Sequence, residues 1–252
     1  MAPERIEKVR LDSLLVARGL ADSREKAQAL ILAGQVLVDE QKVEKCGARV
    51  GTAAALRLVG EPLKYVSRGG LKLEGALDHF RVSVEGKTCL DIGASTGGFS
   101  DCLLQRGAAK VFAVDAGTHQ LDWKLRRDSR VVAMEKTNAR YLTFEQIGER
   151  VALATMDVSF TSATLILPAL PPLLEPGAEI LVLVKPQFEV GRGQVGKGGI
   201  VRDPKLQQEA VSKVSRRLLE LGFSRVGASE SVLPGAGGNR EFFLHAIWGN
   251  RA

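Results

Sequence analysis

From Thr88 to the carboxyl terminus, short apolar runs alternate with longer stretches whose apolar positions recur at helical spacing. The runs at 88–92, 111–115, 130–134, 151–156 and 179–184 read as strands, and helices are expected to start near residues 70, 97, 120, 161 and 204. This alternation predicts a mostly parallel sheet covered on both faces, because each parallel neighbour needs a crossover connection. Two more strands, 223–231 and 241–248, are separated only by the turn Leu233–Gly238, so they predict an antiparallel hairpin at one edge. The expectation is an α/β domain with seven strands.

Residues 10–60 have a different rhythm. Leu11, Leu14 and Leu15 share a helical face, and Gly19 is placed to end that helix. Asp22 or Ser23 can cap a second helix, with Glu25 three residues after Asp22 in a capping-box pattern. Its core face is Ala27, Leu30 and Ile31, stopped by Gly34, after which Val36-Leu37-Val38 and Val43 alternate like short strands around Asp39-Glu40-Gln41-Lys42. Arg10, Arg24 and Lys26 stand near the helix starts, where cations and amide groups can meet phosphates. The same residues could equally form the solvated face of a small helical hairpin. The division expected is a small α+β domain over 1–60, a linker over 61–66 and the α/β domain over 67–252.

Composition narrows the partners. The net charge of +6 suits a polyanion, but residues 1–60 hold ten basic against eight acidic side chains, so any basic face must arise from folding. Cys46, Cys89 and Cys102 are odd in number and lack metal-ligand spacing, and His79, His119 and His245 are scattered. Reduced thiols and no metal are therefore expected. The most apolar region, 165–184, is broken by Pro168, Pro171, Pro172 and Pro176 and carries Glu175 and Glu179, which argues against a membrane span. The opening residues lack the apolar core of a secretory signal, so a cytoplasmic location is expected.

Chemistry concentrates at the predicted strand tips. Asp91-Ile92-Gly93-Ala94-Ser95-Thr96-Gly97-Gly98-Phe99 is a glycine-studded turn between strand and helix, and the next strand ends in Asp115. The loop reads D-x-G-x-x-x-G-G rather than the G-x-G-x-x-G of a dinucleotide site, which fits S-adenosylmethionine, a nucleoside without a pyrophosphate, better than NAD. Asp115 can accept hydrogen bonds from a ribose diol, and Asn138, at a third tip, can contact adenine or ribose. Asp157 and Lys185 end the fourth and fifth strands, Lys72 lies in the opening helix, and Glu241 starts the final strand. Gly191–Gly199 holds five glycines and reads either as a mobile loop closing over RNA or as a plain flexible connection. Trp123 and Trp248 can pack or stack on a base.

Two resemblances sharpen this reading. Arg10-Leu11-Asp12-x-x-Leu15, Gly19-Leu20, Ser23-Arg24-x-x-Ala27 and Leu30-Ile31-x-x-Gly34-x-Val36-x-Val38 resemble the S-four type RNA-binding domain, departing from it at Asp39-Glu40, where that family usually has Asn-Gly. Lys-Asp-Lys-Glu in this order resembles the FtsJ type of RNA ribose 2′-O-methyltransferase. Together with Tyr65-Val66-Ser67-Arg68-Gly69-Gly70-x-Lys72-Leu73, Thr137-Asn138-Ala139-Arg140, Asp157-Val158-Ser159-Phe160 and Lys185-Pro186-Gln187-Phe188-Glu189, the chain resembles the TlyA family over nearly its whole length. That family is often labelled haemolysin and includes rRNA cytidine 2′-O-methyltransferases.

The resemblance implies a Rossmann-like methyltransferase domain with Lys72, Asp157, Lys185 and Glu241 as a catalytic tetrad. It implies S-adenosylmethionine as cofactor, with Ser67, Gly70, Asp91, Gly93, Ser95, Gly97, Gly98, Asp115 and Asn138 as its site. Ribosomal RNA or ribosomal subunits would be the partner, contacted by Arg10, Arg24, Lys26, Arg192 and Lys197. A ribose hydroxyl must lose its proton as it attacks the methyl, and a lysine can take that proton only when neutral. Lys185 is the expected base, with the Lys72 ammonium and desolvation favouring its neutral form. Two other classes compete: a ribosome-binding module with a non-catalytic fold, and a membrane-active haemolysin.

Overall fold

In the computed structural model, the five apolar runs become the parallel strands of one sheet. Residues 8–21, 23–59 and 64–249 are described, and the chain divides into two units, Met1–Arg68 and Gly69–Ala252.

The larger unit contains β6 (Thr88–Ile92), β7 (Lys110–Val114), β8 (Val131–Met134), β9 (Val151–Met156), β10 (Leu174–Val184), β11 (Phe223–Glu230) and β12 (Phe242–Trp248). The strand order is β11-β12-β10-β9-β6-β7-β8, with β12 antiparallel to both neighbours and the other pairs parallel. The seven-stranded, mostly parallel sheet with an antiparallel edge hairpin is the expected one. Its central strands are buried on both faces, which is why β6 and β9 read as continuous apolar runs rather than alternating ones. The chain runs outward from β6 to β8, then returns to β9 on the other side of β6. Ligands bind outside the carboxyl ends of the strands at such a reversal.

The covering helices are α3 (Gly69–Phe80), α4 (Gly98–Gln105), α5 (Trp123–Arg126), α6 (Phe144–Ile147), α7 (Pro186–Glu189) and α8 (Pro204–Glu220). The expected helix near 161 is not one. Residues 163–173 form three successive 3₁₀ turns, because Pro168, Pro171 and Pro172 cannot donate to a continuous helical ladder. The helix expected near 120 shrinks to the single turn α5, capped by Asp122. Trp248 packs on Phe223 with ring centroids 5.1 Å apart, while half-exposed Trp123 faces the Arg127 guanidinium.

The smaller unit holds β1 (Lys8–Arg10), α1 (Leu11–Ala17), α2 (Arg24–Leu32), β2 (Val36–Val38), β3 (Gln41–Lys42), β4 (Arg49–Gly51) and β5 (Leu56–Leu58). Leu11, Leu15, Ala27, Leu30, Ile31, Val36 and Val38 make its core, as the helical and alternating patterns predict. Ser23 caps α2 through the Lys26 amide, whereas Asp22 lies outside the described residues, as do residues 60–63 of the expected linker. The β2–β3 turn places both Asp39 (φ 48°) and Glu40 (φ 61°) in the left-handed region. A two-residue hairpin turn of this hand matches strand twist but favours Asn-Gly. Here the Asp39 carboxylate accepts from the Ala55 amide at 2.8 Å and Glu40 makes an exposed pair with Arg57, which together offset only part of the strain.

Candidate active site

The loop after β6 is shaped from beneath. Asp91 is fully buried and accepts hydrogen bonds from Ser100 Oγ at 2.6 Å and Thr155 Oγ1 at 3.1 Å. Burial pushes its carboxyl up to about 7 against those hydrogen bonds, and the nearby Asp157 charge pushes the same way. Gly93 has φ +83°, and a Cβ there would strike the Asp157 carbonyl, so two strand tips close to within reach of one ligand only because residue 93 is glycine. Asp115, at the tip of β7, accepts from the Ser95 amide at 2.8 Å and the Gly117 amide at 2.7 Å. Each oxygen keeps lone pairs for a further donor.

These tips enclose a cavity of about 370 Å³, lined among others by Gly93, Ser95, Asp115, Asn138 and Asp157. Its size and mixed apolar and acidic walls suit the nucleoside end of S-adenosylmethionine. Thr137 and Val158, from the quoted motifs, also line it, as do Gln120 and Ile166, to which the sequence drew no attention. Asp91, Gly97 and Gly98 are not lining residues. Asp91 supports the loop from below, and Gly97 caps α4 with φ +93°. Gly70 lies in the first turn of α3, and Ser67 belongs to the smaller unit.

A second cavity, of about 430 Å³, is lined by the two lysines, Glu241, Gln187, Phe188 and Asn239, together with glycines of two loops. Pro186 restricts Lys185 to extended backbone, which ends β10 and leaves the lysine at its tip. Lys185 Nζ lies 2.6 Å from Asp157 Oδ1 and donates to Ser159 Oγ at 2.8 Å. The Asp157 contact is close but poorly aligned, so this buried oxygen has no hydrogen-bond donor. Lys72, on α3, donates to Glu241 Oε2 at 2.6 Å, and the Glu241 side chain is only 3% exposed. Gly75 lets Val232 approach the same helix, which seats α3 against the segment leading to Glu241. Each lysine therefore has its own carboxylate, Asp157 for Lys185 and Glu241 for Lys72.

The two cavities share Ser159 and Phe160. Phe160 is 92% exposed and holds φ +63°, a conformation costing a non-glycine residue roughly 1–3 kcal/mol. Its ring stands 5.3 Å from that of Phe188. No periodicity in the sequence marks an exposed phenylalanine, and only the Asp157-Val158-Ser159-Phe160 motif drew attention to it.

The Gly191–Gly199 segment is not a free loop. Gly196 bridges Ile200, and Val201 is buried behind it. Lys197 is exposed, while the side chain of Arg192 is not among those described. In the smaller unit, Arg10 and Arg24 both donate to the fully buried Asp12 carboxylate, which also accepts from Gln28 and the Ser13 amide. The Arg10 guanidinium foremost holds the Asp12 carboxyl far below the usual range. About half of each arginine side chain stays exposed, and Lys26 is partly exposed. Among the described residues, no His, Cys, Asp and Glu cluster could hold a metal ion, and no helix is long and apolar enough to cross a membrane.

Comparison with known proteins adds relatives along the whole chain. An FtsJ-like methyltransferase family model matches residues 65–247, and an S4 domain model matches residues 9–53. The Mycobacterium tuberculosis protein named 16S/23S rRNA (cytidine-2′-O)-methyltransferase TlyA is 52% identical over 238 residues, covering 94% of this chain and 89% of that protein. Hemolysin A of Brachyspira hyodysenteriae is 43% identical over 240 residues, covering 95% of this chain and 100% of that protein. A solved structure of a hemolysin-named protein from Streptococcus thermophilus aligns with a TM-score of 0.77 at 44% identity, covering 98% of this chain and 90% of that one.

Proposed function

Because the chain belongs to the TlyA family, an S4 domain followed by an FtsJ-like methyltransferase domain, we propose that it methylates a ribose 2′-hydroxyl of ribosomal RNA, most specifically of a cytidine. S-adenosylmethionine is the methyl donor, and when bound it supplies a methyl group on a sulfonium, open to in-line attack. Asp115, Ser95, Asn138 and Gly93 form the walls that would hold it, over the support of Asp91, Gly97 and Gly98, and Gly70 completes the assignment within this unit.

The observation that carries the reading is the seam between the two cavities. Ser159 and Phe160 border both, and the Lys185–Asp157 pair reaches from the second cavity to the first. A methyl donor in the first and a ribose in the second would meet at this seam. Lys185, in its neutral form, takes the hydroxyl proton, and Asp157 and Ser159 fix its amine. Lys72, held by Glu241, adds positive charge beside the oxygen as that oxygen becomes anionic. A positioned base contributes roughly 10²–10⁴-fold, and alignment of hydroxyl and methyl much of the remainder. The exposed ring of Phe160, beside the half-buried ring of Phe188, offers a surface for the base of the target nucleotide. Arg10, Arg24 and Lys26 in a domain over 1–60, and Arg192 and Lys197 in a domain over 67–252, contact RNA phosphates, with 61–66 as the linker. The setting is the cytoplasm, and the substrate is ribosomal RNA or an assembled subunit.

The test is transfer of tritiated methyl from S-adenosylmethionine to isolated ribosomal subunits, followed by alkaline hydrolysis. Ribose 2′-O-methylation blocks cleavage, so label should be recovered in alkali-stable dinucleotides. Label in mononucleotides would mean base methylation and overturn the proposal.

A further inference from the structure

One part of the second cavity's wall is made by Gly198 and Gly199, in a segment where five of nine residues are glycine. Such backbone loses more conformational freedom on ordering than any other, and it cannot hold a shape unaided. Yet this segment is ordered by specific bonds. Gly196 N donates to Ile200 O at 3.1 Å, and Gly199 N donates to Gly196 O at 3.1 Å, closing a tight turn.

That turn is tied down from two sides by buried amides. Asn239, 3% exposed, accepts from Val201 N through Oδ1 at 3.0 Å and donates through Nδ2 to Gly199 O at 2.9 Å. Gln207, also 3% exposed, lies on α8 and donates to Val201 O at 2.8 Å. Both backbone groups of Val201 are thus held by side chains with little access to water, where an unmade hydrogen bond is costly.

Asn239 also belongs to the segment that presents Glu241. Its own carbonyl accepts from Gly235 N at 2.8 Å, and the Glu241 carbonyl accepts from Ser231 N at 2.9 Å. Asn239 therefore links the glycine wall on one side to the Lys72–Glu241 pair, two residues away, on the other. Both Asn239 and Glu241 line the cavity.

We propose that Asn239 is a positioning residue for the RNA substrate: its buried amide clamps the Gly196–Val201 turn into a fixed wall and sets the width of the cavity that receives the target nucleotide. The inference rests on the reading of this cavity as the RNA side of the site. It assigns Asn239 no contact with the reacting atoms. Loss of the clamp would return the glycine segment to a broad ensemble, and the nucleotide would have to order it again at each binding event. The effect falls on RNA binding and leaves the first cavity untouched.

The experiment uses the full chain as Asn239→Ala, with Gln207→Met as a second variant that frees the other side of Val201 without touching the segment of Glu241. Cofactor affinity is read by calorimetry, methyl transfer to ribosomal subunits by steady-state kinetics, and exposure of the turn by trypsin cleavage after Lys197. Expected for both variants are unchanged S-adenosylmethionine affinity, a KM for RNA raised about tenfold with kcat within threefold, and faster cleavage at Lys197. Should Asn239→Ala fail to fold, Gln207→Met decides alone. A folded variant with faster Lys197 cleavage but wild-type KM would overturn the role in substrate positioning. Parallel losses of cofactor affinity and RNA KM would also overturn it, since they would mark a general structural defect. If wild-type protein binds cofactor but methylates no RNA at all, the reading of the cavity fails rather than the clamp, and the trypsin result still reports on the clamp.

Discussion

Asp91 should make the methyltransferase unit less stable as pH rises from about 4 to about 7, and Asp91→Asn should abolish that loss. Its carboxyl titrates at about 7 in the fold against an ordinary 3.8, because it is completely buried. Between these values the folded protein keeps a proton that the unfolded chain has released, so stability falls with rising pH and levels off above about 7. The full difference corresponds to about 4 kcal/mol. Asparagine has the same shape and no charge, and the Ser100 and Thr155 hydroxyls can each donate or accept. Other carboxylates complicate the absolute curve. Glu179, hydrogen-bonded by His245 and Lys87, has a lowered pKa, and its contribution is lost in acid. The difference between variant and wild type cancels such terms. Urea unfolding followed by tryptophan fluorescence from pH 4.5 to 8.5 is the assay, and both tryptophans, Trp123 and Trp248, lie in the larger unit. The variant should gain stability relative to wild type by more than about 2 kcal/mol between pH 5 and pH 8. A difference that stays constant across this range would refute the argument, whatever its size.

Lys185→Ala should bind cofactor and RNA yet lose roughly 10²–10⁴-fold in single-turnover rate, and Lys185→Arg should be nearly as slow because a guanidinium does not deprotonate in this range. An arginine variant with near-normal rate would leave Lys185 a clamp rather than a base. Asp115→Ala should weaken S-adenosylmethionine at least about tenfold in calorimetry, since it removes charge-assisted bonds and releases the Ser95 amide. Glu40→Gly should stabilise the smaller unit by roughly 0.5–1 kcal/mol, relief of left-handed strain outweighing an exposed Arg57 pair; denaturant unfolding of the variant reads this directly. Replacing both Arg10 and Arg24 by Ala should flatten the salt dependence of RNA affinity, as fewer counterions are displaced on binding. An unchanged slope in filter binding would remove these arginines from the interface.

The sheet was legible in the sequence because parallel strands buried on both faces leave apolar runs such as Leu181–Val184, and because glycines and prolines punctuate them. Strands of three residues, such as Arg49–Gly51 and Leu56–Leu58, carry too little pattern to be seen. The stretch at 163–173 was misread as helix because its apolar spacing is helical, and the prolines decide otherwise. At the site, the reasoning from strand tips selected Gly93, Asp115, Asn138 and Asp157, all of which line one cavity. It named Ser159 only within a motif, without the bond to Lys185 that joins two strand tips, and gave no role to Asn239, whose partners lie about forty residues away in sequence. It placed Arg10 and Arg24 near helix starts without the buried aspartate that fixes how both are presented.

The seam at Ser159 and Phe160 has a thermodynamic consequence. If donor and ribose occupy the two cavities as proposed, Ser159 and Phe160 couple their affinities, and the coupling is reciprocal: whatever factor RNA adds to cofactor binding, cofactor adds to RNA binding. Methyl transfer changes both sides of the seam at once. The donor loses its positive charge as the ribose oxygen gains a methyl group, so an electrostatic attraction across the boundary vanishes at the moment a steric bulk appears there. The complex favoured before transfer becomes the strained one after it, and the two products loosen each other's hold.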